Sequence, residues 1–202
     1  MRVLLATTNS GKVLELKRIL GEQGIEVVGL DNKATTEDIE TGSTFAENAL
    51  LKARHYHRHS GLTTIADDSG LEVESLGGAP GIASARYGGA GATDADRTAK
   101  LLAELKDVPP ENRAARFVCA AAIVWGGGER VFTGEARGIL LGEPRGQNGF
   151  GYDPVFYYEP LGRTFAELTL AEKSEVSHRG RAFHGLARWL NESGLLEAAG
   201  ER

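Results

Sequence analysis

The chain has 202 residues, of which 41% are hydrophobic and 25% charged, and this is enough for one large domain with a substantial core. Its net charge of −5 argues against a nonspecific nucleic-acid binder, which needs a broad basic surface, but allows a small phosphorylated substrate. Its one cysteine, Cys119, favours a reducing, cytoplasmic setting without disulfides, and no apolar run reaches the roughly 18 residues of a membrane span.

The beginning of the chain has the pattern of a parallel β-α-β unit. Residues 3–6 form a short apolar run that is typical of a buried strand, and residues 25–28 predict a second strand. Between them, Val13, Leu16 and Ile19 recur at helical spacing and predict a helix with one apolar face. Because a helix links the two strands, we expect them to lie parallel in one sheet.

A polar turn joins the first predicted strand to the first predicted helix. Exposed amides and the positive end of the helix dipole meet at such a turn, so it can bind an anion. The turn lacks the spacing of a Walker loop, and an ordinary strand–helix connection remains an alternative. Its residues, which we predict to contact substrate phosphates, are Thr7, Thr8, Asn9, Ser10, Gly11 and Lys12.

The next segment predicts a loop followed by a capped helix. Residues 31–44 are polar and acidic, show no periodicity, and contain Glu40. Thr44 and Glu47 have the spacing of a capping box, in which each side chain bonds to the other residue's backbone amide. The pattern therefore predicts a helix that begins after Thr44 and ends near Gly61.

The strand predicted over residues 62–66 ends at two adjacent aspartates, Asp67 and Asp68. Carboxylates at a strand end suit magnesium, which takes oxygen ligands and bridges to substrate phosphates, and one of them could activate a water. Neighbouring strand residues point to opposite faces, so the pair needs a bend to converge on one point. Glu40 could add a third carboxylate. An Asp-Ser-Gly turn and a solvated glutamate remain open alternatives from spacing alone.

The remaining elements complete an α/β pattern. They begin with a helix over 94–106, a hairpin of 115–125 and 130–138 around three glycines, and a strand at 155–158. A helix then follows a second capping box of Thr169 and Glu172, and a last helix spans 182–190. No repeat or linker interrupts them. Residues 1–202 are therefore predicted to form a single compact α/β domain, with two lobes around a cleft as an open possibility.

Two further segments have the composition of a binding site. Residues 146–154 alternate glycine with aromatic residues, which lets the backbone wrap around a flat ligand and supplies a ring for stacking. Within it we single out Phe150, Gly151, Tyr152 and Asp153. A polar and basic cluster precedes the last predicted helix and contains Lys173, Ser174, Ser177, His178 and Arg179. A glycine-rich hairpin tip and a solvated face are the competing interpretations.

Six segments, in this order along nearly the whole chain, resemble the inosine triphosphate pyrophosphatase family. They are Thr7-x-Asn9-x-x-Lys12, Thr44-Phe45-x-Glu47-Asn48-Ala49-x-x-Lys52-Ala53, Ala66-Asp67-Asp68-Ser69-Gly70-Leu71, Gly78-Ala79-Pro80-Gly81-Ile82-x-Ser84-Ala85-Arg86-Tyr87, Gly149-Phe150-Gly151-Tyr152-Asp153-Pro154 and Glu172-Lys173-x-x-x-Ser177-His178-Arg179. Each segment alone is weak evidence, but six in register are highly specific. The family often has glycine at the position of Thr8 and tryptophan at that of Tyr152.

The resemblance implies an elongated, two-lobed α/β fold around a central mixed β-sheet with flanking helices and an active site in the cleft. It implies a cytoplasmic homodimer that uses Mg²⁺ to hydrolyse abnormal purine nucleoside triphosphates (ITP, dITP, XTP) to the monophosphate and pyrophosphate, with no nucleic-acid polymer or membrane as partner. The roles it implies are triphosphate binding for Thr7, Asn9 and Lys12; magnesium binding for Glu40 and Asp68, with Asp68 also the base; catalytic-site lining for Lys52 and Asp67; and substrate contact for Ser69, Phe150, Asp153, Lys173, His178 and Arg179.

Selection of the base would follow from its C6 substituent. Hypoxanthine and xanthine carry a carbonyl oxygen there, which a donor such as Lys173 or Arg179 can satisfy, whereas the amino group of adenine leaves that donor unpaired. Two other functions remain open. One is a Maf-like pyrophosphatase acting on pyrimidine or modified nucleotides, and the other is a non-catalytic nucleotide-binding module. Product analysis over a nucleotide panel separates all three.

Overall fold

The computed structural model describes residues 2–30 and 39–195. Residues 31–38, most of the predicted acidic loop, lie outside the described part, whereas Glu40 lies within it. The strands are β1 Arg2–Leu5, β2 Glu26–Gly29, β3 Thr64–Val73, β4 Ala114–Trp125, β5 Gly128–Leu140, β6 Phe156–Tyr158 and β7 Arg163–Thr164. The helices are α1 Ser10–Gly21, α2 Phe45–Ser60, α3 Asp94–Glu104, α4 Leu170–Val176 and α5 His178–Glu192.

The strands form one mixed sheet in the order β2-β1-β3-β4-β5-β6-β7. β1 pairs in parallel with both β2 and β3, as expected for an opening β-α-β unit. β6 pairs antiparallel with β5 and β7. Two residues, Gly126 and Gly127, join the neighbouring strands β4 and β5, and a connection this short is possible for an antiparallel hairpin. The predicted α/β class and the hairpin are confirmed.

The chain divides into two compact units, each with its own apolar core. Unit 1 comprises residues 1–68, 119–134 and 178–202, and unit 2 comprises residues 69–118 and 135–177. In unit 1, α1 packs against α5. Leu16 and Ile19, which were predicted on the apolar face of α1, are buried together with Phe183 and Leu186 of α5. Each such side chain contributes about 1.5–3 kcal/mol by leaving water.

The core of unit 2 is aromatic. Phe117, Phe156 and Phe165 contact one another with ring centroids 4.7 to 5.9 Å apart. They pack with aliphatic residues of β3 and α3, such as Leu71 and Leu101. Aromatic contacts at these separations stabilise a core by about 0.5–1.5 kcal/mol per pair beyond area burial. This cluster gives β5, β6 and the segment before α4 a rigid support.

Both predicted capping boxes are present. The Thr44 hydroxyl accepts from the amide of Glu47, and the Glu47 carboxylate accepts from the amide of Thr44. Thr169 and Glu172 make the same reciprocal pair at the start of α4. Among the described residues, no helix is long and apolar enough to cross a membrane.

Two predicted boundaries are wrong. β3 does not end at Asp67 but continues through the Asp-Asp-Ser-Gly segment to Val73, because buried cations neutralise the carboxylates inside the sheet. The last helix begins at His178 and not near residue 182. Its first turn carries polar residues that are buried, so hydrophobic periodicity did not reveal it. The alternative interpretation of this cluster as a solvated face is also wrong, because all five of its residues are buried.

Candidate functional site

The start of α1 has the features of an anion-binding turn. Asn9 caps the helix, and its Oδ1 accepts from the amide of Lys12 at 3.0 Å. The amide of Asn9 in turn donates to Thr7 Oγ1 at 3.2 Å, which fixes the residue before the helix. The first turn contains no acidic residue, so the positive end of the helix dipole is not offset there. Thr8, Asn9 and Ser10 are exposed, in keeping with access for a ligand.

Asp67 on β3 is buried among cations. Its Oδ2 lies 2.9 Å from Lys12 Nζ and 3.4 Å from Arg179 Nε. Burial alone raises the pKa of the carboxyl, but the nearby charges of Lys12, Arg179 and Lys52 outweigh it, and the net pKa is below the ordinary value. Asp67 is therefore a carboxylate at neutral pH. Its task is to organise cations, since two of them contact the same oxygen.

Asp68, the next residue on β3, has a different environment. Its Oδ2 accepts from Asn48 Nδ2 at 3.1 Å, and its Oδ1 lies 3.8 Å from Lys52 Nζ. Burial raises the pKa of Asp68, the cations Lys52 and Lys12 lower it, and Glu40 raises it again, with a net pKa above the ordinary value. A carboxylate with a raised pKa is a better proton acceptor, as a general base requires.

The alternation of a β-strand separates these two carboxylates. Asp67 contacts side chains of α1 and α5, whereas Asp68 contacts side chains of α2. Neighbouring strand residues point to opposite faces, so this division is what the strand geometry requires. Both residues lie within β3, which continues to Val73, so the two side chains diverge from adjacent positions of one strand.

Helix α2 supplies the partners of Asp68 from one face. Asn48 and Lys52 are four residues apart and therefore lie one above the other. The amide of Gly42 donates to Asn48 Oδ1 at 2.8 Å, which orients the Asn48 NH₂ group towards Asp68. A Cβ at Gly42 would come within 2.9 Å of Asn48 Oδ1, so this close approach requires glycine.

Lys52 is a buried ammonium shared among several oxygens. Its Nζ donates to Glu40 Oε1 at 2.5 Å and to the backbone oxygen of Asp67 at 2.7 Å. Burial lowers the pKa of Lys52, but the carboxylates of Asp68, Asp67 and Glu40 outweigh it and hold the net pKa above the ordinary value. Lys52 thus remains charged and fixes Glu40 beside Asp68.

The carboxylates of Glu40 and Asp68 have the chemistry that magnesium requires of its protein ligands. Both present carboxylate oxygens, and Lys52 contacts one oxygen of each within 4 Å. Across residues 2–30 and 39–195, no group of three or more His, Cys, Asp or Glu side chains is arranged to hold a metal by itself. Magnesium commonly binds through one or two carboxylates together with substrate phosphates and water, so a pair is sufficient.

Arg179, in the first turn of α5, is buried with a second carboxylate that sequence reasoning missed. Its Nη1 donates to Glu15 Oε2 at 2.6 Å, and its Nε donates to Asp67. Burial lowers the pKa of Arg179, but the charges of Glu15 and Asp67 outweigh it, and the net pKa is above the ordinary value. Glu15 was detectable as a charged residue on the same face of α1 as Lys12 and Ile19. Arg179 is therefore bound to carboxylates in this structure.

Unit 2 contains a separate cluster around residues 149–153. Lys173 Nζ forms a buried ion pair with Asp153 and lies 4.8 Å from the centroid of the Phe150 ring. The amide of Phe150 donates to Asp153 Oδ2 at 2.9 Å. Gly149 has a φ of +74°, and a Cβ there would come within 2.1 Å of the same oxygen. The cluster combines an aromatic face with a charged donor.

The other predicted residues of unit 2 have structural contacts. Tyr152 is buried, and its hydroxyl donates to the backbone oxygen of Ser84 at 3.0 Å. The amide of Gly151 donates to Asp94 Oδ2 at 2.7 Å. Ser69 is half-buried on β3. Of the predicted site residues, unit 1 carries Thr7, Thr8, Asn9, Ser10, Gly11, Lys12, Glu40, Lys52, Asp67, Asp68, His178 and Arg179, and unit 2 carries Ser69, Phe150, Gly151, Tyr152, Asp153 and Lys173.

Comparison with known proteins gives matches along nearly the whole chain. The Ham1 family model matches residues 3–189. The dITP/XTP pyrophosphatase of Frankia alni is 54% identical over 198 residues, which cover 95% of this chain and 98% of that protein. The Ham1 protein of Staphylococcus aureus is 38% identical with a TM-score of 0.83 and covers 96% and 100% of the two chains. A structure of a nucleoside-triphosphatase / dITP/XTP pyrophosphatase from Mycobacterium abscessus is 49% identical, with a TM-score of 0.72 and coverage of 92% and 98%.

Proposed function

We propose, from the premise that this chain belongs to the Ham1 family, that it hydrolyses dITP, XTP and ITP to the monophosphate and pyrophosphate. Such an enzyme removes abnormal purines from the nucleotide pool. We assign this activity to residues 1–202 as one functional domain, working in the cytoplasm as a homodimer. Light scattering tests the oligomeric state.

One observation carries the proposal: Asp67 and Asp68 are neighbours on β3, Lys12 of α1 pairs with Asp67 at 2.9 Å, and the charge of the same Lys12 also acts on Asp68, whose pKa it lowers. A triphosphate requires cations, which Lys12 and the helix terminus provide. Its hydrolysis requires a base, which Asp68 provides. These two requirements are met by neighbouring residues of β3 and one turn of α1.

In the proposed reaction, a water attacks the phosphorus of the α-phosphate. The water proton passes to a carboxylate oxygen of Asp68, the bond from that phosphorus to the bridging oxygen breaks, and pyrophosphate leaves with the bonding electron pair. Asn48 holds Asp68 Oδ2 in place through its NH₂ group. Lys12 offsets the charge that develops on the departing pyrophosphate, a form of electrostatic stabilisation that needs preplaced donors.

Mg²⁺ bound by Glu40 and Asp68 would add charge neutralisation at the phosphate oxygens. Lys52 keeps both carboxylates in position before substrate arrives, because its ammonium contacts an oxygen of each. It also donates to the backbone of Asp67, which ties α2 to β3. The family comparison supports a metal-dependent nucleotide hydrolase, and the oxygen donors support magnesium.

We assign recognition of the purine to the cluster of unit 2. Phe150 would stack on the base, and Lys173 would donate to the carbonyl oxygen at C6. Lys173 is favoured over Arg179 for this contact because its Nζ lies 4.8 Å from the centroid of the Phe150 ring, whereas Arg179 donates to Glu15 and Asp67. With adenine, the amino group at C6 would leave the Lys173 donor unpaired, at a cost of about 1–3 kcal/mol.

The decisive experiment measures pyrophosphate and monophosphate from a panel of dITP, XTP, ITP, dATP, GTP and a pyrimidine triphosphate, with and without Mg²⁺. We expect magnesium-dependent release that is fastest for the first three nucleotides. Faster release from the pyrimidine nucleotide would instead indicate a Maf-like activity. Nucleotide binding without product under all conditions would indicate a binding module and contradict the proposal.

A further inference from the structure

Four alternating charges form a continuous chain in unit 1, which we call the charge chain. It consists of Glu15, Arg179, Asp67 and Lys12. Glu15 Oε2 lies 2.6 Å from Arg179 Nη1, Arg179 Nε lies 3.4 Å from Asp67 Oδ2, and the same Oδ2 lies 2.9 Å from Lys12 Nζ. Arg179 and Lys12 therefore compete for one oxygen atom of Asp67.

The distances show how that competition is resolved. Arg179 is closer to Glu15 than to Asp67, and Lys12 is closer to Asp67 than Arg179 is. A guanidinium attracted equally by two carboxylates would approach both to about 2.8 Å, the usual separation of charge-assisted pairs. Glu15 thus holds Arg179 back from Asp67, and the close position at Oδ2 is left to Lys12.

Burial makes this arrangement sensitive to the charge of Glu15. The side chains of Glu15, Arg179 and Asp67 are 6%, 2% and 0% exposed, whereas that of Lys12 is 14% exposed. Water cannot readily replace a lost partner at the three buried members, so a change at one is passed to the next. Lys12 is the member of the charge chain best placed to meet a ligand.

We propose that Glu15 is a positioning residue for the triphosphate: by engaging Arg179, it leaves Asp67 Oδ2 to orient the ammonium of Lys12. This rests on the proposed function in assigning Lys12 to phosphate binding. If the charge of Glu15 is removed, Arg179 moves towards Asp67 and displaces Lys12 from that oxygen. The lysine side chain then regains rotamer freedom, which phosphate binding must remove again.

A merely structural role for Glu15 makes a different prediction. If Glu15 only neutralises Arg179, its loss changes the stability of the protein and the electrostatic potential at the phosphate turn. The resulting change in phosphate affinity is then the same whether or not Lys12 is present. If Glu15 acts through Lys12, part of its effect disappears when Lys12 is removed. A double-mutant cycle separates the two roles, since members of one ion-pair network are coupled and independent residues are not.

The cycle compares wild type, Glu15→Gln, Lys12→Ala and the double variant. The readout is affinity for inorganic tripolyphosphate, measured by calorimetry without divalent metal so that the cations of the chain are probed. We expect Glu15→Gln to weaken binding by about tenfold more in the presence of Lys12 than in the Lys12→Ala background, within the range of couplings measured in ion-pair networks. Equal ratios in the two backgrounds would overturn the proposal.

Glu22 provides a matched control on the same helix segment. It pairs with Arg18 at 3.3 Å, and both side chains are substantially exposed. Glu22→Gln removes the same charge from an arginine pair, but this pair is exposed at the end of α1, whereas Asp67 is fully buried. Its effect on tripolyphosphate affinity should be the same with and without Lys12. A coupling as large as that of Glu15 would show a general field effect and overturn the proposal.

Two further measurements keep the test decisive. If Glu15→Gln does not fold, Glu15→Asp replaces it in the cycle, because aspartate retains the charge on a shorter side chain. We then expect a smaller coupling to Lys12, of about threefold. A cycle without any coupling would count against the proposal. Pyrophosphate release from dITP is measured separately on the wild type. No release would refute the proposed function, while the binding cycle would still decide whether Glu15 positions Lys12.

Discussion

Asn48 Nδ2 donates to Asp68 Oδ2 at 3.1 Å, while the amide of Gly42 holds the other end of the Asn48 side chain. A neutral donor steadies the Asp68 carboxylate without adding a positive charge of its own. Asp67, one residue earlier, instead contacts two cations. The pKa of Asp67 is therefore lowered and that of Asp68 raised, and this difference supports the proposed roles of Asp68 as a base and of Asp67 as a residue that positions cations.

Asp68→Asn tests the base directly. The amide cannot accept a proton from water, so we expect kcat to fall by about 10²–10⁴-fold, the usual contribution of a general base. The fold should survive, because asparagine has nearly the same shape and removes one buried negative charge. Steady-state release of pyrophosphate from dITP, with circular dichroism as the fold control, provides the measurement. A folded variant with a wild-type rate would exclude Asp68 as the base.

Lys12→Ala tests the phosphate turn. The ammonium of Lys12 would make charge-assisted hydrogen bonds to the triphosphate, which contribute about 1.5–3 kcal/mol. We expect kcat/KM for dITP to fall by about 10- to 150-fold, which is that free energy expressed as a ratio. Lys17→Ala removes the same charge from the exposed face of α1 and serves as the control. Similar losses for both variants would contradict a specific role for Lys12.

How well each element could be predicted depended on where its determinants lie in the sequence. The capping boxes and the apolar faces of α1 and α5 were predictable because their determinants are three or four residues apart. The true start of α5 and the continuation of β3 could not be predicted from such local spacing. Both depend on Arg179, whose partners Glu15 and Asp67 lie 164 and 112 residues away in sequence.

In the candidate site, too, features set by nearby residues were predictable and contacts between distant residues were not. Local chemistry and the family resemblance indicated the phosphate turn and the aspartate pair. Neither could reveal that Arg179 is bound to Glu15, because spacing does not show which carboxylate a distant cation will meet. The sequence offered one indication of Glu15: it is a charged residue on the mainly apolar face of α1, one helical turn after Lys12.

Lys173→Met combined with Asp153→Asn tests base selection. The double change removes both charges of a buried pair, which avoids leaving one charge without its partner. Asparagine can still accept from the amide of Phe150. We expect the ratio of kcat/KM for dITP to that for dATP to fall by about 5- to 150-fold, which is a lost discrimination of about 1–3 kcal/mol expressed as a ratio. An unchanged ratio would show that the base is selected elsewhere.

Glu172→Gln tests how the capping box of α4 makes the stability of the protein depend on pH. A hydrogen bond from Arg163, followed by bonds from the amide and hydroxyl of Thr169, lowers the pKa of Glu172 from 4.5 to about 2. A carboxyl with a depressed pKa stabilises the fold above its unfolded pKa, and this contribution is lost as pH falls through the folded value. The stabilisation by Glu172 is therefore complete near pH 7 and declines between pH 4.5 and about 2.

We thus expect Glu172→Gln to have a lower Tm than the wild type near pH 7, since the capping box loses its charged acceptor. The difference should shrink as the pH is lowered from 4.5 to about 2, because the protonated glutamate comes to resemble glutamine. Glu175→Gln removes a charge from an exposed position of the same helix and controls for a general charge effect. Thermal unfolding across this pH range decides the matter: a difference in Tm that stays constant, or that grows as the pH falls, would contradict the assigned linkage.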